Sequence, residues 1–227
     1  MPKTEPEQTC KIAVLISGGG SNLQSIINHV EQNHINASIA CVISNKSDAY
    51  GLVRAQRANI PTHIIEHNSY TSREEFDAEL VKTLAVYNIK LIVLAGFMRV
   101  LSPTLIDEYQ GNILNIHPSL LPKHPGLRAH ARAIEAGDSE HGCSVHFVTA
   151  ELDGGPLVIQ AKVNVEKTDS AETLAARVLE KEHIIYPLAV KWFCDKRLKL
   201  KAGKIHFDHS PLNQALLLSP EHEALLR

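Results

Sequence analysis

The chain has 227 residues, of which 44% are hydrophobic, 21% charged and 5% aromatic, and its formal net charge is −2. This composition is typical of a globular domain and excludes a collagen, a coiled coil and a disordered chain. A chain without net positive charge is a poor candidate for non-specific binding to nucleic acid, which depends on neutralising phosphates.

The apolar runs and the cysteines indicate a cytoplasmic protein. The longest runs, Ile12–Ile16 and Leu91–Ala95, are far shorter than a membrane span, and the polar, acidic N-terminus does not have the pattern of a signal peptide. The four cysteines are far apart and include no CxxC pair, which is typical of free thiols in a reducing compartment. We therefore expect neither a membrane span nor disulfides.

Strands and helices alternate along the first half of the chain. Apolar runs predict strands at Lys11–Ile16, Ser38–Ser44, Thr62–Ile65, Lys90–Ala95 and Asn112–Ile116. Capping residues predict helices that start at Ser21-Asn22, at Asp48, at the capping box Ser72-Arg73-Glu74-Glu75 and at Ser102-Pro103. This alternation is typical of a doubly wound α/β sheet.

The pattern changes after residue 140. Ser144–Thr149 and Leu157–Val165 predict an antiparallel pair of strands, and Ser170 caps a last long helix that contains Pro187. The expected fold is therefore α/β, with a doubly wound, mostly parallel sheet and an antiparallel edge, in a single domain over residues 1–227. Residues 1–9 and about 202–227 are expected to be loosely attached tails, with an edge strand considered at His206–Phe207.

A glycine-rich segment, Gly18-Gly19-Gly20-Ser21-Asn22, joins the first strand to the first helix. Glycines allow a ligand to approach the backbone closely, and the free N–H groups of a helix start attract an anion. The dinucleotide fingerprint is excluded because Leu23 occupies the position of its third glycine, and a P-loop is excluded because no Gly-Lys-Ser/Thr follows. A single phosphate, as in a phosphorylated sugar, is the ligand that remains; a tight turn without a ligand is the alternative.

Asn115 and His117 lie two residues apart near the end of a predicted strand, so both project from the same face. Ligands bind at the carboxyl edge of open α/β sheets, and the prolines that follow stiffen the loop. We interpret the two residues as part of a site. The alternative is a buried pair that only satisfies backbone groups.

An acidic turn, Asp153-Gly154-Gly155-Pro156, lies between the two later strands. Asp153 is placed to pair with His117 and to keep its imidazolium charged near neutral pH, although such a sequence by itself is usually only a turn. His146, on the preceding strand, is either a second inward polar group or an exposed one.

The sequence predicts neither a metal site nor a covalent nucleophile. The 13 histidines show no HExxH or His-x-His spacing beside a carboxylate. No Gly-x-Ser-x-Gly motif occurs, and Cys143 has no obvious activating neighbour.

Several segments together resemble the phosphoribosylglycinamide formyltransferase family, the folate-dependent enzymes of purine synthesis. They are Leu15–Gln24, Leu94–Ser102, Asn115–Pro122 and Glu151–Pro156, in the family's order. The likeness runs from about Lys11 to Leu200. The Asn-x-His and Asp-Gly-Gly motifs mark the wider formyltransferase superfamily, whereas the glycine segment and Met98-Arg99 narrow the resemblance to this family.

The resemblance implies that 10-formyltetrahydrofolate donates its formyl group to the amine of glycinamide ribonucleotide by direct attack, with no metal. Asn115, His117 and Asp153 would be catalytic: the amide and the imidazolium would stabilise the oxyanion, and the carboxylate would order a water that relays a proton. The nucleotide would contact Gly20, Ser21, Asn22 and Glu182. The folate would contact Arg73, Met98, Arg99, Val100, Leu101, Asn115, Thr149, Ala150, Glu151, Leu152 and Asp153.

Two other functions stay open from the sequence. One is another enzyme of the superfamily that uses 10-formyltetrahydrofolate; such enzymes carry an additional domain, for which we expect no room in this chain. The other is a non-catalytic module that binds a phosphosugar through the glycine segment alone. In every case the expected partners are small molecules, with no nucleic acid or membrane, and the chain is expected to be a monomer or a homodimer.

Overall fold

The computed structural model describes residues 9–226. Its strands are β1 Cys10–Ile16, β2 Ala37–Ser44, β3 Thr62–Ile64, β4 Leu91–Leu94, β5 Ile113–His117, β6 Glu140–Phe147, β7 Leu157–Asn164, β8 Leu198–Lys201, β9 Lys204–Phe207, β10 Ser210–Pro211 and β11 Leu216–Leu217. Its helices are α1 Ser21–Glu31, α2 Tyr50–Arg57, α3 Arg73–Ala85, α4 Pro103–Glu108, α5 Ala129–Glu135, α6 Ala171–Cys194 and α7 Pro220–Ala224. The lead-in expected over residues 1–9 lies outside the described residues, apart from Thr9.

The main sheet has the strand order β11-β7-β6-β5-β4-β1-β2-β3. Strands β1 to β5 pair in parallel, whereas β6 runs antiparallel to both β5 and β7. The predicted fold class, a mostly parallel α/β sheet with an antiparallel part, is confirmed. The carboxyl ends of β1, β4 and β5 therefore meet at one edge, where open α/β sheets bind ligands.

Side chains of the central strands are buried on both faces of the sheet. In β1, Ile12, Val14 and Ile16 belong to one buried cluster with residues of α1, α2 and α6, and Ala13 and Leu15 belong to a second cluster with residues of α3 and α4. Burial on two faces explains why this strand is a continuous apolar run in the sequence.

The start of α1 differs from the prediction. Its N-cap is Gly20, in the left-handed region at φ 70°, and Ser21 and Asn22 are the first helical residues with no side-chain cap bond. At α2 the N-cap is Ala49 rather than Asp48. The first helical N–H groups of α1 are consequently left without a side-chain partner at the cap.

The segment after Ala202 is packed against the rest of the protein, so the expected loose tail is wrong for its described residues. Strands β8, β9 and β10 form a separate antiparallel sheet, and β11 adds to the main sheet beside β7. His206–Phe207 lies in β9, the middle strand of the small sheet, and not in an edge strand. Leu226 is buried with the main core. Among residues 9–226, no helix is both long and apolar enough to cross a membrane.

Candidate active site

The three side chains predicted to be catalytic lie together at the carboxyl end of β5. His117 Nδ1 is 3.3 Å from Asp153 Oδ2, and the two side chains are 8% and 9% exposed. Asp153 Oδ2 also accepts a hydrogen bond from the Gly126 N–H at 2.7 Å. His146 lies beside both Asn115 and Asp153: its Nε2 is 3.0 Å from the Asn115 amide nitrogen and 3.8 Å from Asp153 Oδ1.

Both ring nitrogens of His117 have partners. Its Nε2 lies 3.0 Å from the backbone carbonyl of His124, which can only accept, so Nε2 carries a hydrogen. Nδ1 faces the Asp153 carboxylate, which is also an acceptor. The surroundings therefore fit a doubly protonated, charged imidazolium.

His146 was expected to be either an inward polar group or an exposed one. It is buried, so the first expectation is confirmed. Its Nδ1 donates to the Phe147 carbonyl at 2.9 Å, so its Nε2 accepts from the Asn115 amide nitrogen. Burial lowers the pKa of His146 and so favours this neutral form. His146 thus determines which end of the Asn115 amide faces it.

The backbone of the acidic turn explains its second glycine, Gly155. Asp153 adopts φ 52°, in the left-handed region that aspartate and asparagine tolerate better than most residues. A Cβ on Gly155 would lie 1.8 Å from the Phe147 carbonyl oxygen, so only glycine allows the turn to pack against the end of β6. This close packing aims the Asp153 side chain at His117.

Helix α2 braces the glycine segment. A Cβ on Gly20 would lie 2.7 Å from the Cα of Gly51, so the two backbones touch. The Gly51 N–H donates to the Gly18 carbonyl at 3.0 Å, and Arg54 Nε donates to the Gly19 carbonyl at 2.8 Å. The segment is therefore held in one conformation just before the start of α1, where unpaired N–H groups favour an anion.

Asn22 and Glu182 are distant in sequence but form a buried pair. Asn22 Nδ2 donates to Glu182 Oε2 at 2.7 Å, and burial raises the pKa of the Glu182 carboxyl, an effect that this hydrogen bond opposes. Asn22 Oδ1 is buried without a hydrogen-bond partner among the described residues. An unpaired buried acceptor is costly, so this atom is a candidate for contact with a ligand.

Tyr186 connects α6 to the edge of the sheet where the candidate catalytic residues lie. The side chain is fully buried, and its hydroxyl lies 2.9 Å from the carbonyls of Leu94, the last residue of β4, and Leu114, the second residue of β5. Glu182 precedes Tyr186 by about one helical turn. Tyr186 therefore fixes the helix that carries Glu182 to β4 and β5, the strands beside the candidate catalytic residues.

A cleft with an empty volume of about 510 Å³ opens beside Asn115 and Asp153. Most of the residues predicted to contact folate line it: Arg99, Val100, Leu101, Asn115, Thr149, Ala150, Glu151, Leu152 and Asp153. Sequence reasoning did not assign the remaining lining residues, Leu94, Phe97, His146 and Val148, to the folate site. Leu94 and Phe97 lie inside a motif that carried the resemblance, so that motif could have indicated them.

Two predicted folate residues do not line this cleft. Met98 is 65% exposed, and its backbone N–H donates to Ser17 Oγ at 2.8 Å. Arg73 is exposed at the first residue of α3. His117 does not line the cleft either, because it lies behind Asp153.

Among residues 9–226 the structure shows no cluster of three metal-ligating side chains, and Cys143 is not an activated thiol. No group of three or more His, Cys, Asp or Glu side chains is arranged there to hold a metal ion. Cys143 is fully buried, and burial raises the pKa of its thiol well above the ordinary value.

Comparison with known proteins shows which family the chain is similar to. The family described as formyl transferase matches residues 10–190. The phosphoribosylglycinamide formyltransferase of Escherichia coli strain K12 is 54% identical over 197 residues, which is 87% of this chain and 93% of that protein. The chain belongs to the phosphoribosylglycinamide formyltransferase family. The Haemophilus influenzae family member is 52% identical over 89% of this chain and 95% of its own length.

A solved structure of a family member supports the same assignment. The phosphoribosylglycinamide formyltransferase of Coxiella burnetii, determined in complex with CHES, has a TM-score of 0.87 and 49% identity to this chain. The match covers 92% of this chain and all of the other. The family that the sequence motifs predicted, and its fold, are therefore confirmed.

Proposed function

We propose that this protein transfers the formyl group of 10-formyltetrahydrofolate to the amine of glycinamide ribonucleotide, in purine synthesis. Membership of the family makes it a formyltransferase. The single observation that carries the residue assignment is that Asn115, His117 and Asp153 lie together beside the cleft, with His117 3.3 Å from Asp153. The nucleotide is assigned to the braced glycine segment and the Asn22–Glu182 pair.

The reaction starts when the amine nitrogen attacks the formyl carbon, and the carbonyl oxygen becomes an oxyanion. Asn115 supplies a donor at this point, because its amide nitrogen carries two hydrogens and only one is directed at His146. A preorganised donor of this kind is typically worth about 10²–10³ in rate. His146 accordingly acts as a positioning residue for Asn115.

His117 supplies positive charge close to the developing oxyanion. The Nε2–H donates to the His124 carbonyl, and we assign the oxyanion as a second acceptor that shares this hydrogen during the reaction. Nδ1 stays directed at the Asp153 carboxylate, 3.3 Å away, which attracts the charged form of the ring. Because the side chain is buried, its charge is weakly screened by solvent.

Asp153 handles the proton that leaves the attacking amine. Its Oδ2 is occupied by His117 and by the Gly126 N–H, whereas its Oδ1 makes no hydrogen bond to the described residues, and Asp153 lines the cleft. We assign to Oδ1 the ordering of a water that carries the proton from the amine to the folate nitrogen. The bond between that nitrogen and the formyl carbon then breaks, and the oxyanion returns to a carbonyl in the formylated product. No covalent enzyme intermediate is required.

The composition of the cleft fits the formyl folate. Leu94, Phe97 and Val148 provide apolar walls for a flat ring system, while Arg99 and Glu151 provide polar groups. Arg73 and Met98 do not line the cleft. They stay predicted contacts for the part of the folate that extends out of it.

Acceptor specificity tests this function directly. The purified chain is mixed with 10-formyltetrahydrofolate and with glycinamide ribonucleotide, water alone or methionyl-tRNA, and consumption of the formyl donor is followed. We expect rapid consumption only with glycinamide ribonucleotide, with a stoichiometric formylated product. Transfer to tRNA or rapid hydrolysis would identify another formylfolate enzyme, and binding of the ribonucleotide without turnover would identify a non-catalytic module.

The single-domain organisation, the cytoplasmic location and the choice between monomer and homodimer remain predictions. Light scattering during gel filtration measures the oligomeric state, and a single cooperative unfolding transition is expected for one domain. The expected absence of nucleic-acid binding is checked with the methionyl-tRNA sample, which should show no stable complex.

A further inference from the structure

A second histidine–aspartate pair lies behind His117. His124 Nε2 is 2.7 Å from Asp138 Oδ2, and both side chains are 15% exposed. The other carboxylate oxygen of Asp138 accepts from Lys123 Nζ at 2.8 Å. The hydrogen bond from His124 is the main cause that holds the pKa of Asp138 below its ordinary value, so the carboxylate is charged.

The backbone of His124 connects this pair to His117. The His124 carbonyl is the group that accepts from His117 Nε2 at 3.0 Å. His124 also adopts φ 54°, a left-handed conformation that is unfavourable for a non-glycine residue unless its surroundings hold it. The contact of its side chain with Asp138 is suited to hold this conformation and thereby the direction of the carbonyl.

The neighbouring histidines contribute packing rather than charge. The ring of His141 meets the His124 ring edge-on at 6.2 Å, and its Nε2 lies 3.1 Å from His130 Nδ1. Burial lowers the pKa of His141 to about 4 and also lowers that of His130, so both are neutral near pH 7. Of the side chains described around the His124–Asp138 pair, Lys123 is therefore the charged one.

The loop around His124 has other attachments. Ser119 Oγ donates to the Lys123 carbonyl at 2.6 Å, and Arg132 donates to the Pro125 carbonyl at 2.7 Å. Removing the contact between His124 and Asp138 should therefore leave the loop folded. Its main effect should be that the orientation of the His124 carbonyl is no longer fixed.

We propose that His124 and Asp138 are positioning residues for formyl transfer: together they fix the carbonyl that orients the His117 ring toward Asp153. This inference rests on the proposed function, because it assigns a catalytic role to His117. Loss of the pair leaves the substrate sites intact and allows the imidazolium to rotate away from its productive orientation.

The kinetic test compares Asp138→Ala, His124→Phe and the double variant. A misplacement of about 1 Å at a reacting centre can cost up to about 10²-fold, so we expect each single variant to lower kcat about tenfold. The KM values of both substrates should stay within about twofold. The double variant should be no slower than the slower single variant, because both changes remove one interaction.

Two further variants separate positioning from general destabilisation. Asp138→Asn keeps an oxygen that can accept from His124, so kcat should recover to within about threefold of the wild type. Lys123→Gln removes the other ion pair of Asp138, and because the Lys123 side chain is 61% exposed it should leave kcat unchanged.

Nitrogen NMR of the His117 ring provides a readout that does not depend on turnover. In Asp138→Ala, the Nε2 resonance of His117, assigned with His117→Asn, should lose its hydrogen-bonded shift relative to the wild type. If wild-type protein transfers no formyl group, the proposed function fails while this spectrum still tests the pair. Any one of four results would overturn the inference. They are an unchanged His117 resonance, an unchanged or increased kcat in the single variants, additive losses of kcat in the double variant, and no recovery of kcat in Asp138→Asn.

Discussion

Replacing Asp153 by asparagine tests the charge pair that we place at the centre of the reaction. At 3.3 Å and an effective dielectric constant of about 20, the attraction between Asp153 and a charged His117 is about 5 kcal/mol. Asparagine keeps the shape, can still accept from the Gly126 N–H and tolerates the left-handed backbone at this position. Since about 1.4 kcal/mol corresponds to a tenfold change, we expect kcat to fall about 10³-fold, somewhat less than the full attraction would allow.

Steady-state kinetics, calorimetric titration with glycinamide ribonucleotide and thermal unfolding together check this expectation. Binding of the ribonucleotide should change by less than about threefold, because Asn22 and Glu182 do not depend on the charge of Asp153. Asp208→Asn, which weakens the remote Arg197–Asp208 ion pair, is the matched control and should retain full activity. If binding and turnover fell by equal factors, Asp153 would be a structural turn residue and the charge-pair mechanism would be refuted.

The other predictions use the same purified protein. His117→Ala should lower kcat by at least about 10²-fold with little effect on ribonucleotide binding, and near-wild-type turnover would remove its oxyanion role. Gly20→Ala should raise the KM for the ribonucleotide and lower the Tm, because the added Cβ would lie 2.7 Å from the Cα of Gly51. In the control variant Gly18→Ala, the added Cβ has no neighbouring atom within 4 Å, so the Tm should stay unchanged. Burial raises the pKa of Glu182, so the stability that this carboxyl contributes is present at low pH and is lost as pH rises through the raised pKa. Glu182→Gln should therefore raise the Tm at pH 8, by about 2–4 °C for each ~1 kcal/mol of unfolding free energy gained. At pH 4 the same variant should leave the Tm unchanged. Burial lowers the pKa of His141 to about 4, so the stability that neutral His141 contributes is present above the ordinary histidine pKa of about 6.5 and is lost as pH falls toward 4. In His141→Gln, the Tm measured by calorimetry should therefore fall less steeply between these pH values.

The fold was largely predictable because strands buried on two faces must be apolar throughout. The run that became β1 and the one that became β4 were both found within a few residues of their observed ends. The segment after Ala202 was misjudged because β10 and β11 are each two residues long. Such short strands have no readable period, and they form because the edges of β7 and β9 offer unpaired backbone groups.

The site was predictable only in its main members. Asn115 and His117 were recognised because strand residues two apart share a face, and Asp153 because of its motif. The partners that orient them were not predictable, since two of those partners are backbone groups, the His124 carbonyl and the Gly126 N–H. Every residue carries such groups, so the sequence contains no signal for the ones that are used.

The order of residues alone therefore determined the class of fold, the family and which side chains could perform the chemistry, because burial periodicity and motifs are local properties. The tertiary structure alone decided that Asn22 pairs with Glu182, that His146 accepts from Asn115 and that His117 donates to a carbonyl beside Asp153. The direction of a hydrogen bond depends on distances between groups that are far apart in the chain, and those distances exist only once the sheet and its loops have packed.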